Sequence, residues 1–185
     1  MSTLVFCLEE PSARAMLQGL LPRLLPTEVQ VQYIVFEGKQ DMHRQLVRRL
    51  KHWLAPDSCF VVLRDQDSSD CRLLKQELRA LCEAAGRPQA LVRIACHELE
   101  TFYLGDLAAV EQGLGLGGLA RQQHASKFRT PDRLANPAEE LVKLTQSRYQ
   151  KLAGSRAIGP HLRLDGSNTS ASFCALVDGL KRLPV

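Results

Sequence analysis

Short apolar runs alternate with helix-forming segments along residues 1–106, and this alternation is the feature that most restricts the fold. The segments between the runs repeat apolar residues every three or four positions, as one face of a helix does. Such a β-α-β-α-β-α-β-α order is typical of a mainly parallel sheet with helices on both faces and right-handed crossovers. The predicted strands lie near residues 3–8, 29–36, 59–64 and 90–96.

The stretch from Cys59 to Asp70 carries the strongest functional signal. Its apolar run gives way to the acidic segment RDQDSSD. Asp65 and Asp67 are two positions apart, so in extended geometry their side chains point to the same side. Open α/β sheets bind ligands at the carboxyl ends of their strands, and paired carboxylates suit Mg²⁺ or Mn²⁺. The competing interpretation is a solvated loop in which Asp67 or Ser69 caps the next helix.

Acidic residues also follow the first and fourth runs. Glu9 and Glu10 come after the first run, and Glu98 and Glu100, again two positions apart, come after the fourth. Because parallel strands end at one edge of a sheet, we expect these acids to gather at the rim that carries the D-x-D pair. A bound cation would relieve their mutual repulsion. His97 is a further candidate ligand, although a lone histidine at a strand end is more often part of the hydrogen-bonded structure.

Composition places the chain among ordinary globular proteins, with 45% hydrophobic and 24% charged residues. It contains no run of about 18 apolar residues, so no membrane association is expected. The six cysteines form no C-x-x-C pair and are interpreted as buried thiols of a reducing compartment, which predicts a cytoplasmic protein. The net charge of +4 permits a phosphate-rich partner without requiring one.

The regular alternation ends after residue 106. A short helix is predicted from Phe102 to Gln112, a glycine-rich patch follows it, and further helices are predicted over residues 138–148 and 170–183. We expect residues 1–106 to form an α/β core and residues 107–185 a helical and loop extension packed on that core within a single structural domain.

Three features, taken together, resemble the Toprim domain, the catalytic fold shared by topoisomerases, bacterial primases and the overcoming-lysogenization-defect (OLD) nucleases. They are Glu9 after the first strand, Gly38-Lys39 after the second, and Asp65 with Asp67 after the third. The whole chain, including HELETFYLGD, KFRTP and YQKLAG, looks more closely like a Toprim-like domain-of-unknown-function family that is often found beside an AAA or ABC-type ATPase in bacterial defence loci. The resemblance implies a Toprim or Rossmann-like α/β fold with a C-terminal helical extension.

This resemblance implies a Mg²⁺- or Mn²⁺-dependent nuclease that cleaves DNA or RNA and acts with an ATPase in anti-phage defence. Glu9 matches the Toprim glutamate, which has a general acid/base or metal-binding role. Asp65 and Asp67 match the metal-binding D-x-D, and Gly38 matches the glycine that lets the backbone approach the site, with Lys39 as its neighbour.

A basic residue stabilises the transition state in the nuclease branch, and Lys127 and Lys151 are the candidates for that role here. The chain contains no G-x-x-x-x-G-K-[ST] segment, so ATP chemistry requires a partner. The oligomeric state, the choice between DNA and RNA, and the number of metal ions stay open.

The first motif departs from the usual Toprim pattern, E-G-x-x-E. Glu10 replaces the glycine and Ala13 the second acid, so Glu10, Glu98 or Glu100 would have to supply the missing ligand. This departure keeps open an alternative, a non-catalytic Toprim-like module that binds a cation or a partner. A phospho-receiver and a haloacid-dehalogenase phosphatase fit less well, because the D-x-D follows the third strand and Ser-Ser comes soon after it.

Overall fold

Four parallel strands form the central sheet in the computed structural model, which describes residues 2–185. Their spatial order is β2-β1-β3-β4, so β1 and β3 are the inner strands. The predicted mainly parallel sheet is confirmed, and each strand bound lies within one residue of its prediction. The strands are β1 (Thr3–Leu8), β2 (Gln30–Val35), β3 (Ser58–Asp65) and β4 (Leu91–Ala95).

Both faces of the sheet are covered, because successive side chains of β1 point to opposite sides. Leu4, Phe6 and Leu8 belong to one buried cluster, with α1 (Pro11–Leu20) and the C-terminal helices. Val5 and Cys7 belong to the other cluster, with α2 (Lys39–Lys51) and α3 (Cys71–Ala84). A strand that is apolar throughout is therefore buried on both faces, as in other parallel sheets.

The C-terminal part is helical, as predicted, and packs into the cluster that contains Leu4 and Phe6. No helix within residues 2–185 is long and apolar enough to cross a lipid bilayer. Short 3₁₀ turns cover Leu21–Arg23, Ala120–His124, Pro131–Arg133 and Gly159–His161. The remaining helices are α4 (Glu100–Leu104), α5 (Leu107–Leu114), α6 (Ser126–Arg129), α7 (Pro137–Leu144), α8 (Lys151–Ile158) and α9 (Ala171–Lys181).

Three helical segments differ from the sequence prediction. The helix predicted from Phe102 to Gln112 is divided into α4 and α5, because the Asp106 carboxylate accepts a hydrogen bond from the backbone of Ala109 and starts a new helix. The helix predicted over residues 138–148 ends at Leu144, and the backbone turns through positive φ angles soon afterwards.

The helix α8 was not predicted, because Gly154 and Ser155 have low helix propensity. Packing outweighs that propensity. Gly154 lies under the ring of Tyr149, where an added Cβ would come within 2.4 Å of the ring, and Gly159, just after α8, lies against Met16 of α1. The consequence for the site is that α8 brings its first residue, Lys151, next to the rim of the sheet.

Candidate functional site

Glu9 and Asp65 lie side by side because β1 and β3 are neighbours whose residues Leu8 and Leu63 are paired. The backbone N–H of Asp65 donates a hydrogen bond to Glu9 Oε2, with 3.3 Å between the heavy atoms. Arg64 Nε lies 3.8 Å from the same oxygen. The topology therefore brings the acids of the first and third strand ends to one rim of the sheet.

The acids at this rim are held in surroundings that disfavour their charged forms. Burial, together with the charge of Asp67, raises the pKa of Glu9, although Arg64 opposes the shift. Burial raises the pKa of Asp65 well above its usual range, and the charges of Glu100 and Glu9 add to the effect. The Asp65 carboxylate makes no hydrogen bond or ion pair with the residues that the structure describes, and the charge of Lys151 offsets only part of the repulsion.

Glu100, the first residue of α4, completes the group of repelling acids. It is 1% exposed, and its Oε1 accepts a 2.8 Å hydrogen bond from the hydroxyl of Tyr149. Its Oε2 is buried and has no hydrogen-bond partner in the described part of the chain. Burial raises the pKa of Glu100, although the hydrogen bond from Tyr149 and the charge of Lys151 act in the opposite direction.

The two candidate lysines lie in different places. Lys151 forms an ion pair with Glu10, and its charge lowers the pKa values of Asp65 and Glu100. Burial alone would lower the pKa of Lys151, but its hydrogen bond to Glu10 and the nearby acids raise it overall. Lys127 instead pairs with Glu140 at 2.7 Å, and none of its described contacts reaches the rim acids.

Asp67 leaves the line of β3, because its φ of 52° places it in a left-handed turn. Its carboxylate pairs with Lys39 at 2.9 Å instead of continuing the extended alternation from Asp65. Its backbone N–H donates to the carbonyl of His97, and His97 Nδ1 lies 2.9 Å from the Asp67 carbonyl. Since a carbonyl oxygen only accepts hydrogen bonds, His97 donates this one through Nδ1 and stabilises the turn.

Gly38 and Glu98 have structural roles in this arrangement. Gly38 has a φ of 90°, which residues other than glycine rarely adopt. Its N–H donates a hydrogen bond to the carbonyl of Glu9, with 3.1 Å between the heavy atoms. An added Cβ at Gly38 would meet nothing within 4 Å, so the backbone angle explains the glycine. Glu98 Oε2 accepts a 2.8 Å hydrogen bond from the backbone of Ala138 in the first turn of α7, and thus caps that helix.

The donor chemistry of the rim suits a hard divalent cation, although no ready ligand cage exists. No group of three or more His, Cys, Asp or Glu side chains within residues 2–185 is arranged to hold a metal ion. Asp67 and Glu10 are occupied by Lys39 and Lys151. A small cavity of about 10 Å³, close to the room that one water molecule needs, is lined by Glu9, Glu10, Ser12, Ala13, Leu63, Asp65 and Leu99.

Two residues of the site were not identified from the sequence. Arg64 is a charged residue that directly follows the apolar run of β3 and is still part of that strand, and this position was the available signal. Tyr149 lies in a segment without clear periodicity, and only the packing of α8 brings its hydroxyl to Glu100. Sequence spacing does not reveal either contact.

Comparison with known proteins gives the fold and the family. No curated protein matches the chain significantly. The C-terminal region of the Burkholderia pseudomallei OLD protein is similar in structure, with a TM-score of 0.52, 18% identity and 96% of each chain covered. The C-terminal region of the Xanthomonas campestris pv. campestris OLD protein gives a TM-score of 0.49 at 15% identity, covering 98% of this chain and 95% of that chain.

The first of these similarities confirms the predicted Toprim-like α/β fold and, at such low identity, shows the fold alone. A family model described as "Domain of unknown function (DUF4276)" matches residues 8–181, which is nearly the whole sequence. The chain therefore belongs to the DUF4276 family.

Proposed function

We propose that this protein is a Mg²⁺- or Mn²⁺-dependent nuclease that hydrolyses phosphodiester bonds in DNA or RNA. The observation that carries the proposal is the group of repelling acids, Glu9, Asp65 and Glu100, gathered at the carboxyl rim of the sheet. Acids whose charged forms are disfavoured in the protein alone gain stability from a cation, and this provides a driving force for metal binding. The sequence resemblance implies the same function, and the fold similarity to the OLD C-terminal region agrees with the Toprim-like fold that this function requires.

Glu9 and Asp65 would hold the cation, and Asp67 would join them once its ion pair with Lys39 opens. Glu100 lies close enough to influence Asp65 and has one buried oxygen without a partner in the described residues, which makes it the further candidate ligand. When bound, a divalent cation offsets the charge of the scissile phosphate and activates water.

Lys151 is the basic residue that we assign to assist the reaction. It is held by Glu10 beside the acids, and its raised pKa keeps it protonated at neutral pH. A fixed positive charge at this point stabilises the negative charge that develops on a phosphate in the transition state. Lys127, paired with Glu140, is not placed for this task.

A non-catalytic, cation-binding module is the second candidate, and one observation favours it. The residues that the structure describes contain no preformed group of three ligands, and the first motif lacks the second acid, which is Ala13 here. Such a module would bind the cation without cleaving nucleic acid.

Titration and cleavage assays separate these two functions. Calorimetry with Mn²⁺ on the wild type, Asp65→Asn and the exposed control Asp178→Asn is expected to show loss of binding in Asp65→Asn alone. Cleavage of labelled DNA and RNA should disappear in Asp65→Asn and in Lys151→Gln. Metal binding without cleavage of any substrate would support the binding module, and absence of metal binding in the wild type would contradict both functions.

We further infer that cleavage depends on an AAA or ABC-type ATPase in a defence context. The sequence has no P-loop of its own, and the family resemblance implies such a partner. Cleavage should therefore increase when the ATPase from the neighbouring locus and ATP are added. Rates that are unchanged by the ATPase, together with no co-purification, would contradict this inference.

A further inference from the structure

A second feature lies beside the acidic rim, in a cleft of about 620 Å³ between α2 and α3. Two residues connect it to the rim, because Lys39 pairs with Asp67 and Arg64 lies against Glu9. The cleft is lined by Lys39, Gln40, His43, Arg44, Arg64, Ser69, Asp70, Leu73, Leu74 and Glu77.

Arg64 gives this cleft its chemical character. It is 8% exposed, and its buried Nε has no hydrogen-bond partner among the residues that the structure describes. Its ion-pair contact with Glu9 is long, at 3.8 Å from Nε to Oε2. A buried guanidinium left without hydrogen-bond acceptors is costly, so its position on the wall of a cleft indicates an anionic ligand that supplies them.

The rest of the wall suits an anion as well. Lys39, His43 and Arg44 come from the first turns of α2, whose N-cap residue, Gly38, offers no side-chain acceptor to the free N–H groups. Of the two acids in the wall, Asp70 is engaged, because its carboxylate accepts two 2.9 Å hydrogen bonds at the start of α3.

We propose that this cleft binds a phosphate group, with Arg64 as its buried anchor and Lys39, His43 and Arg44 around it. The inference rests on the proposed function, because the phosphate would belong to the nucleic-acid strand whose scissile bond lies at the acidic rim. A free phosphorylated nucleotide carries the same chemistry and is the other source of the ligand. A guanidinium can donate two parallel hydrogen bonds to phosphate oxygens, and this geometry adds both affinity and orientation.

A consequence for the rim follows from the position of Lys39. An anion in the cleft attracts Lys39, which otherwise pairs with Asp67 at 2.9 Å. Phosphate binding therefore releases the Asp67 carboxylate and couples occupation of the cleft to cation binding at the rim.

The test is oligonucleotide binding measured by fluorescence anisotropy with a chelator present, so that binding is independent of cleavage. The probe is a labelled single strand of about 12 nucleotides. Arg64→Gln is expected to weaken binding about tenfold and Arg44→Gln about threefold. Each substitution should also reduce the slope of log affinity against log salt concentration by about 1, which corresponds to the loss of one phosphate contact. Arg49→Gln, on α2 but outside the cleft wall, is the matched control and should bind as the wild type does.

Arg44→Gln keeps the test valid if Arg64→Gln fails to fold, because the Arg44 side chain is 76% exposed. Competition by a mononucleotide as effective as that of the oligonucleotide would assign the cleft to a free nucleotide and overturn the nucleic-acid assignment. Equal binding by wild type, Arg44→Gln and Arg49→Gln, or no binding by the wild type, would overturn the cleft proposal. Intact oligonucleotide binding without cleavage under any condition would instead contradict the nuclease function and leave the cleft in place.

Discussion

Two aspartates, one fully and one partly buried, have opposite surroundings in this protein. Asp106 is 0% exposed and accepts hydrogen bonds from the Arg163 side chain, from the Arg163 backbone and from Ala109. Asp65 is partly buried, accepts no hydrogen bond on its side chain in the described residues, and faces the charges of Glu100 and Glu9. Donors around an acid thus indicate a structural position, whereas other acids around it indicate a position that requires a ligand.

This difference has an energetic basis. A buried carboxylate loses the hydration that stabilises its charge and depends on protein donors to replace it. At Asp106 the replacement is a guanidinium and two backbone N–H groups. At Asp65 no such donor is present in the described residues, so burial and the neighbouring acids disfavour its charged form.

Removing the well-satisfied acid is expected to have the largest effect. Asp106→Ala should lower the free energy of unfolding by about 2–4 kcal/mol, because it leaves the N–H groups of α5 and Arg163 without their acceptor. For a domain of this size the melting temperature should fall by roughly 4–16 °C. Chemical denaturation measures the change, with the exposed Asp178→Ala as control. Equal melting temperatures for Asp106→Ala and Asp178→Ala would show that the hydrogen bonds of Asp106 do not stabilise the fold, and the contrast with Asp65 would be wrong.

Removing the poorly satisfied acid is expected to have the opposite sign. Asp65→Asn should raise the free energy of unfolding of the metal-free protein by about 1 kcal/mol, since it eliminates one of several repelling charges. The melting temperature should then rise by roughly 2–4 °C. The same substitution should abolish Mn²⁺ binding, so that added Mn²⁺ stabilises the wild type alone. A destabilised Asp65→Asn variant would show that Asp65 is structural after all.

The pH dependence sharpens the same contrast. In the folded protein the pKa values of Glu9 and Asp65 are raised above their ordinary values of 4.5 and 3.8, mainly by burial. Over the pH range between the ordinary and the raised pKa values, the folded state therefore binds more protons than the unfolded state. The free energy of unfolding falls as the pH rises through this range.

The stability difference between wild type and Asp65→Asn should accordingly be largest near neutral pH and should narrow toward about pH 4. Urea midpoints measured across this range, without metal, give the difference directly. Mn²⁺ binding should show the reverse trend and weaken as the pH falls, because protons compete for the same carboxylates. A difference that is constant with pH would mean that Asp65 does not titrate in the folded protein.

The sequence predicted the parts of this molecule that depend on local pattern. Three strands were found as apolar runs and β2 from its alternation of apolar and polar residues, and the parallel topology then placed Glu9 beside Asp65. The spacing argument did not extend to Asp67, because it assumed an extended chain where the backbone forms a left-handed turn.

Contacts between segments that are far apart in the sequence could not be predicted from its local patterns. Lys127 and Lys151 were equivalent candidates in the sequence, and only the packing of α8 brings Lys151 to Glu10 while Lys127 pairs with Glu140. The missing hydrogen-bond partner of Arg64 Nε could not be recognised either, because it depends on which acceptors the fold places near this atom.

The smallest expected effect comes from Glu98, which the sequence grouped with Glu100 as a metal ligand. Glu98 caps α7 through a single acceptor oxygen, and the side-chain carbonyl of glutamine can accept the same hydrogen bond. Glu98→Gln should therefore change the free energy of unfolding by less than about 0.5 kcal/mol, whereas Glu98→Ala should cost about 1 kcal/mol.

Mn²⁺ affinity should be unchanged in Glu98→Gln and reduced in Glu100→Gln, because one oxygen of Glu100 is buried without a donor in the described residues, whereas Glu98 already has its donor. Calorimetric titration of the two variants beside the wild type gives the comparison under identical conditions. A loss of Mn²⁺ affinity in Glu98→Gln, like the loss expected in Asp65→Asn, would mean that Glu98 binds the metal although it already accepts a hydrogen bond. Hydrogen-bond donors would then no longer distinguish the structural acids of this protein from its ligands.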